Sequence, residues 1–197
     1  MSPVAVFPQL SLRSVRKVIT AGVGTCRVRV TVLGGVSLQL MPGDALAITG
    51  ALPLARSMLC AVAAGVARCD SGAVKWGPRG LTAVRYAPAG DAPRALQRRD
   101  GVAAGLVILD AALTERAPAP DLRVVTALVA PFLAAGGAVL LAATVTPAEW
   151  PWAILELAGG QLRPLLPAAL PAATWSAPAR MVAEGRGDRV ARLAPDQ

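Results

Sequence analysis

The stretch that decides the fold runs from Gly35 to Gly77 and reads GVSLQLMPGDALAITGALPLARSMLCAVAAGVARCDSGAVKWG. Its centre, ALAIT at Ala45–Thr49, is a continuous apolar run, which is typical of a strand buried on both faces. Gly50 and a short loop follow, and an apolar stretch of helical length then covers Ser57–Ala67. A buried strand that leads through a loop into a helix is the unit from which parallel sheets are built. The stretch therefore predicts an α/β protein.

Two apolar runs further along the chain have the same character. LVIL at Leu106–Leu109 and AVLLAA at Ala138–Ala143 predict buried strands, and Val124–Ala135 between them predicts a helix. Helices that alternate with buried strands imply a mainly parallel sheet with right-handed crossovers. We expect the strands at Ala45–Thr49 and Leu106–Leu109 to be central in that sheet and near each other.

The two ends of the chain differ from this pattern. Residues 1–20 predict a leader or a short helix. The alternating segments Cys26–Thr31 and Val36–Leu40, with a Gly-Gly pair between them, predict a hairpin and hence a small antiparallel portion. Beyond Pro167 the composition shifts to Pro, Ala, Arg and Gly, which is typical of a loose or accessory segment. The expected organisation is a leader at 1–24, one domain at 25–166 and a tail at 167–197.

Composition excludes several kinds of chemistry. The chain of 197 residues contains no histidine, so His–metal sites and Ser–His–Asp triads are impossible. Its three cysteines have no metal-ligand spacing. The net charge of +8 is almost all scattered arginine without interleaved aromatic residues, which gives no strong nucleic-acid signal.

One nearly uncharged segment, Val124–Val145, is long enough to suggest a membrane span. Pro131 and the pair Gly136-Gly137 divide it into a helix and a strand instead. The amino-terminal segment lacks the positive region before an apolar core that a secretory signal needs. We therefore expect a cytoplasmic protein that associates with a membrane only through a partner.

The motifs together resemble the ATPase domain of ATP-binding-cassette (ABC) proteins. That family has a Pro-Gly-Asp/Glu turn, a buried strand, a P-loop, a helix and a DSG turn in this order. Here the two turns are PGD at 42–44 and DSG at 70–72. LVILD at 106–110 resembles the Walker B strand, and GGAVLLAATV at 136–145 resembles the strand before the switch histidine. ILELAGGQL at 154–162 resembles the closing hairpin. The resemblance implies a P-loop NTPase-like, three-layer domain with a mainly parallel sheet.

The resemblance places the P-loop at Gly50–Ser57, GALPLARS, where an active loop reads G-x-x-x-x-G-K-[ST]. Gly50 and Ser57 match, Ala55 replaces the second glycine, and Arg56 replaces the lysine. With Asp110 at the Walker B position, the resemblance implies a vestigial nucleotide site of Gly50, Arg56, Ser57 and Asp110. Ser57 and Asp110 would be the Mg²⁺ ligands if a Mg-nucleotide binds.

Other family positions carry residues without catalytic groups. Ala111 stands at the place of the catalytic glutamate, Val145 at that of the switch histidine and Ala89 at that of the glutamine-loop glutamine. Only 19 residues separate Tyr86 from Leu106, which is too few for the helical subdomain, and no LSGGQ-like signature is present. We therefore expect no catalytic residue, no ATP hydrolysis, and at most weak binding of ATP and Mg²⁺.

Three functions remain open. The first is a pseudo-ATPase that acts as a binding or regulatory subunit with a protein partner, such as an ABC ATPase or a membrane permease. The second is a nucleotide-binding ABC transporter subunit that an active partner completes. The third is a basic nucleic-acid-binding module, whose affinity would fall steeply with salt.

Overall fold

The computed structural model describes residues 7–22, 27–96, 105–111, 121–145 and 150–165. Within them the strands are β1 (Leu10–Ala21), β2 (Val28–Leu40), β3 (Ala45–Thr49), β4 (Ser71–Trp76), β5 (Val84–Pro88), β6 (Leu106–Asp110), β7 (Ala138–Ala142), β8 (Ala153–Ala158) and β9 (Gln161–Pro164). The α-helices are α1 (Pro53–Ala63), α2 (Ala92–Leu96) and α3 (Leu122–Ala134).

The larger sheet has six strands in the order β5-β6-β7-β3-β8-β9. All neighbouring pairs are parallel except β8 and β9, which form an antiparallel hairpin. The predicted parallel sheet is therefore confirmed. Strands β3 and β6 are both interior and are separated only by β7, so their central, neighbouring placement is confirmed as well.

The apolar runs are continuous because the sheet is covered on both faces. Leu46 and Ile48 of β3 belong to a core that also contains Leu59 of α1 and the inward-facing leucines of β1 and β2. Ala45 and Ala47 belong to the opposite core, which α2 and α3 cover. The domain consequently has α1 and a second sheet on one face of the parallel sheet and helices α2 and α3 on the other, as the predicted three-layer class requires.

The second sheet has three antiparallel strands in the order β2-β1-β4. The prediction of a leader or short helix at residues 1–20 is wrong for Leu10 onward, because that segment is the central strand β1. Leu10, Leu12 and Val15 are fully buried. A bulge at Ser14, where φ is +47°, breaks the period-two alternation that would have revealed the strand.

The predicted hairpin at Cys26–Leu40 is also wrong. Residues 28–40 form one long strand, β2, and the Gly34-Gly35 pair lies inside it. Gly34 lies where the two sheets meet: its N–H donates to the carbonyl oxygen of Gly160, and it is at Gly160 that a Cβ would come within 2.9 Å of the Gly34 nitrogen. Gly35, with φ of +103°, lies where the pairing with β1 shifts register. The glycines therefore allow a bulge and a contact between the two sheets, and they do not form a turn.

Several boundaries differ from the predicted ones. Helix α1 covers Pro53–Ala63, whereas the prediction was Ser57–Ala67. Strand β5 begins only at Val84, because the preceding residues Gly80–Ala83 form a 3₁₀ turn. The helix predicted within Val124–Val145 is α3, and no helix in the described ranges is long and apolar enough to cross a membrane.

The predictions for two segments fall partly or wholly outside the described residues. Between Tyr86 and Leu106 the described part holds a 3₁₀ turn and the five-residue helix α2. Residues 97–104 of that interval lie outside the description, so the omission of a helical subdomain stays a prediction. The tail at 167–197 lies outside it as well.

Candidate functional site

The predicted site residues meet at one edge of the parallel sheet. Gly50 follows the carboxyl end of β3, and Asp110 ends β6. Asp110 is in register with Ala142 of β7, and so is Ile48 of β3, so the three strands end level with one another. This is the edge at which open α/β sheets place their ligand sites.

Gly50 is required by the packing of the backbone. Its φ of +143° is unfavourable for residues with a side chain, and a Cβ there would collide with the carbonyl oxygen of Leu157 on strand β8. A glycine at this position is therefore needed for β3 to leave the sheet beside β8, whatever the loop binds.

The loop after Gly50 is short because α1 begins early. Pro53 is the first helical residue, and Leu52 is an N-cap without a side-chain hydrogen bond. Pro53 has no N–H to donate. The amides of Ala55 and Arg56 both donate to the Leu52 carbonyl oxygen, over 3.1 and 3.3 Å. Ser57 consequently lies a full turn inside the helix.

Arg56 folds back over the loop. The side chain is 8% exposed, and one of its terminal nitrogens, Nη1, donates to the carbonyl oxygen of Gly50. Its Nε atom is buried and has no hydrogen-bond partner among the described residues. The guanidinium borders a cavity of about 450 Å³, whose lining includes Thr49, Thr144 and Glu156. Arg56 thus places a positive charge at the predicted lysine position and uses part of its donor capacity within the loop.

Asp110 is fully buried and accepts a hydrogen bond from the hydroxyl of Tyr86 over 3.0 Å. Burial raises the pKa of Tyr86, and the negative charge of Asp110 and this hydrogen bond raise it further. The phenol therefore stays protonated and remains a donor at neutral pH. Cys60 of α1 is close to this group: burial raises the pKa of its thiol, Asp110 raises it further, and Arg56 opposes the shift.

The positions at which the resemblance expects the switch histidine, the glutamine and the catalytic glutamate carry apolar residues that are buried or half-buried. Val145 is buried and lines the cavity, and Ala89 is buried within the 3₁₀ turn after β5. Ala111 follows Asp110 directly and is half-buried. Among the described residues, no three or more histidine, cysteine, aspartate or glutamate side chains form a group that could hold a metal ion.

Sequence reasoning missed three residues of this edge: Cys60, Tyr86 as the partner of Asp110, and Glu156. Cys60 lies four residues after Arg56, so helical spacing could have placed the two on one face of α1. Glu156 is in register with Thr49 across β3 and β8. That pairing joins segments far apart in the chain, and no local pattern indicates it.

No protein-family model matches the sequence, and no curated protein matches it. Solved structures do match. A nucleotide-free ATP-binding cassette from an ABC transporter is 12% identical, over 79% of this chain and 90% of that one, with a TM-score of 0.57. The ATP-binding subunit of an ABC transporter is 13% identical, over 78% and 88%, with a TM-score of 0.54. A dimeric ATP-binding cassette in a post-hydrolysis state with ADP and phosphate is 12% identical, over 78% and 96%, with a TM-score of 0.55.

These matches agree with the mainly parallel sheet and the antiparallel sheet described above. The chain therefore has the fold of the ATP-binding cassette of ABC transporters.

Proposed function

We propose that the chain is a pseudo-ATPase of the ABC type, which does not hydrolyse ATP and acts as a binding or regulatory subunit. The observation that carries this proposal is the early start of α1. A working P-loop presents a row of backbone amides to the phosphates before its helix begins. In this chain Pro53 lacks the amide hydrogen, and the amides of Ala55 and Arg56 are bonded to Leu52.

The residues at this edge do not fit Mg-ATP. The guanidinium of Arg56 donates to the Gly50 carbonyl oxygen, which leaves fewer of its N–H groups for phosphate oxygens. A planar fork also replaces the compact ammonium that reaches the β- and γ-phosphates. Ser57 lies one turn inside the helix, and Asp110 accepts a hydrogen bond from Tyr86. We therefore propose no catalytic step at this edge.

The missing groups argue against turnover even if some nucleotide binds. Removing a single stabilising donor from an active site lowers the rate by roughly 10²–10³-fold. Here the lysine, the glutamate and the histidine positions carry Arg56, Ala111 and Val145. Losses of this kind at three positions leave no useful hydrolysis.

A protein partner is the occupant that the surroundings of the loop favour. Leu52 and Leu54 are 63% and 54% exposed, and between them in the chain stands Pro53, which lines the cavity. Exposed leucines in the loop of a site favour a protein surface over a polar nucleotide. Two of the matched structures are described as parts of ABC transporters, and the third is described as a dimeric ATP-binding cassette. We propose a partner of the same kind, an ABC ATPase or a permease.

The test measures phosphate release and nucleotide binding by the purified chain. We expect no phosphate release from Mg-ATP above a Ser57→Ala, Asp110→Ala double variant. Calorimetry should show no saturable binding up to about 1 mM, where a dissociation constant corresponds to roughly −4 kcal/mol.

Micromolar binding that Arg56→Ala abolishes would contradict this proposal. It would favour the alternative, a nucleotide-binding ABC subunit that an active partner completes. Arg123→Gln is the control for charge, because Arg123 is exposed on α3. Loss of binding in that variant too would indicate unspecific attraction to ATP.

A further inference from the structure

The outer face of the three-stranded sheet carries a cleft of about 330 Å³. Ser11 of β1 is paired with Gln39 of β2 on one side and with Lys75 of β4 on the other. Directly paired residues project from the same face of a sheet, so these three side chains stand side by side. Arg13, two residues further along β1, lines the same cleft.

Ser11 forms the polar floor of this cleft. It is 4% exposed, and its Oγ atom has no hydrogen-bond partner among the described residues. A buried hydroxyl without a partner is uncommon in folded proteins and requires an explanation. Around it stand a guanidinium, an ammonium and a carboxamide, and none of the described residues that line the cleft is acidic. The lining thus offers a buried hydroxyl and two positive charges.

The other wall of the cleft is apolar and rigid. Phe7 is 59% exposed, and Pro8 and Pro78 lie beside it. Trp76 contributes backbone to this wall, since it is paired with the buried Leu10 and its indole donates to the Ala63 carbonyl oxygen on the inner face of the sheet. Exposed rings and prolines of this kind stack well on a flat apolar group.

We propose that this cleft binds a small phosphate monoester whose ester group is aromatic. A phosphate monoester carries a charge of roughly −1.5 to −2 at neutral pH, which matches Arg13 and Lys75. Its oxygens accept hydrogen bonds from Ser11, Arg13 and Lys75, and its ring packs on Phe7 and the neighbouring prolines. The volume lies at the lower end of the range for small-molecule pockets.

This site is separate from the loop at Gly50. The lining of the cleft and the lining of the cavity beside Arg56 have no residue in common. The cleft belongs to the antiparallel sheet, whereas the cavity lies at the carboxyl ends of the parallel strands. The inference therefore does not depend on whether the loop binds ATP.

The test titrates the full chain with phenyl phosphate, inorganic phosphate and phenol, and measures binding by calorimetry or amide NMR shifts. Phenyl phosphate should bind saturably, inorganic phosphate more weakly, and phenol not at all up to about 10 mM. Lys75→Gln and Arg13→Gln should each weaken phenyl phosphate binding about tenfold, and Ser11→Ala about fivefold. Arg123→Gln, which removes the same charge elsewhere, should leave binding unchanged.

If the Ser11 hydroxyl served only to stabilise the fold, Ser11→Ala would lower the melting temperature. Because this hydroxyl has no hydrogen-bond partner among the described residues, we expect Ser11→Ala without ligand to keep or raise the melting temperature. Lack of saturable phenyl phosphate binding overturns the proposal. So does equal weakening in Arg123→Gln, or binding that Lys75→Gln and Ser11→Ala leave unchanged.

Discussion

Gly50 shows how one residue can satisfy a motif for a structural reason. The first glycine of a P-loop approaches phosphate, but here a side chain is excluded by strand β8. The same holds for Gly72 of the DSG turn, where φ is +91° and a Cβ would meet the Ser14 carbonyl oxygen at 2.5 Å. Both motif glycines are therefore explained by the fold, and neither indicates a ligand.

We expect Gly50→Ala to lower the free energy of unfolding by more than about 1 kcal/mol, because the substitution combines backbone strain with a collision. Urea denaturation measures the change. Gly90→Ala is the matched control, since a Cβ there meets open space and its φ is not in the positive region. Equal stability of the two variants would show that the backbone at Gly50 can relax.

Asp70 connects the DSG turn to β1. Its carboxylate accepts the Val18 N–H over 2.6 Å and the Lys17 ammonium over 3.0 Å. These contacts, the Val18 hydrogen bond first, lower the pKa of Asp70. A lowered pKa means that the contribution to stability is present above the unfolded pKa and is lost as the pH falls through the folded pKa.

Asp70→Asn should therefore lower the urea midpoint at pH 7. The difference from the unchanged chain should shrink as the pH falls below about 4, where Asp70 itself becomes protonated. Unfolding curves across this range make the comparison. A difference that is constant with pH would assign the effect to the shape of the turn and not to the charge.

At the scale of elements, the sequence predicts the presence of α1 but not the residue at which it begins. Its existence and its position after β3 follow from the apolar run and the loop. Its first residue does not, because the apolar run begins only at Ser57, whereas the helix begins at Pro53, a residue well suited to the first helical position. Strand β1 was missed because the bulge at Ser14 breaks its period-two alternation.

Strands β5 and β6 are joined at their carboxyl ends by the Tyr86–Asp110 hydrogen bond. Tyr86→Phe removes the donor and leaves Asp110 buried with one partner fewer. We expect a loss of about 1–3 kcal/mol in the free energy of unfolding. A double-mutant cycle with Asp110→Asn measures the coupling, and additive losses would show that the two side chains act independently.

The whole molecule is held together by a shared core. Leu10 and Leu12 of β1 belong to the same cluster as Leu59 of α1 and as Ile108 and Leu140 of the parallel sheet. The two sheets are also joined by the Gly34–Gly160 hydrogen bond. Two sheets with one core should unfold together.

Native-state hydrogen exchange tests this cooperation. In low concentrations of guanidinium, the slowest amides of β1 and of β7 should reach the same opening free energy. Leu59→Ala removes a side chain from the core that the two sheets share. It should therefore lower the opening free energies of β1 and of β7 equally. Earlier opening of β1 would show that the antiparallel sheet is a separate cooperative unit.

The position of β3 between β7 and β8 has a consequence for biosynthesis. Both neighbours of this strand lie in the last part of the described chain, so the ribosome releases them long after Ala45–Thr49 has emerged. During that interval an apolar strand is exposed without a partner on either side, which favours aggregation or capture by a chaperone. The nascent chain should therefore depend on protection until the final hairpin is made, and codons that slow translation before β7 should lower the yield of folded protein.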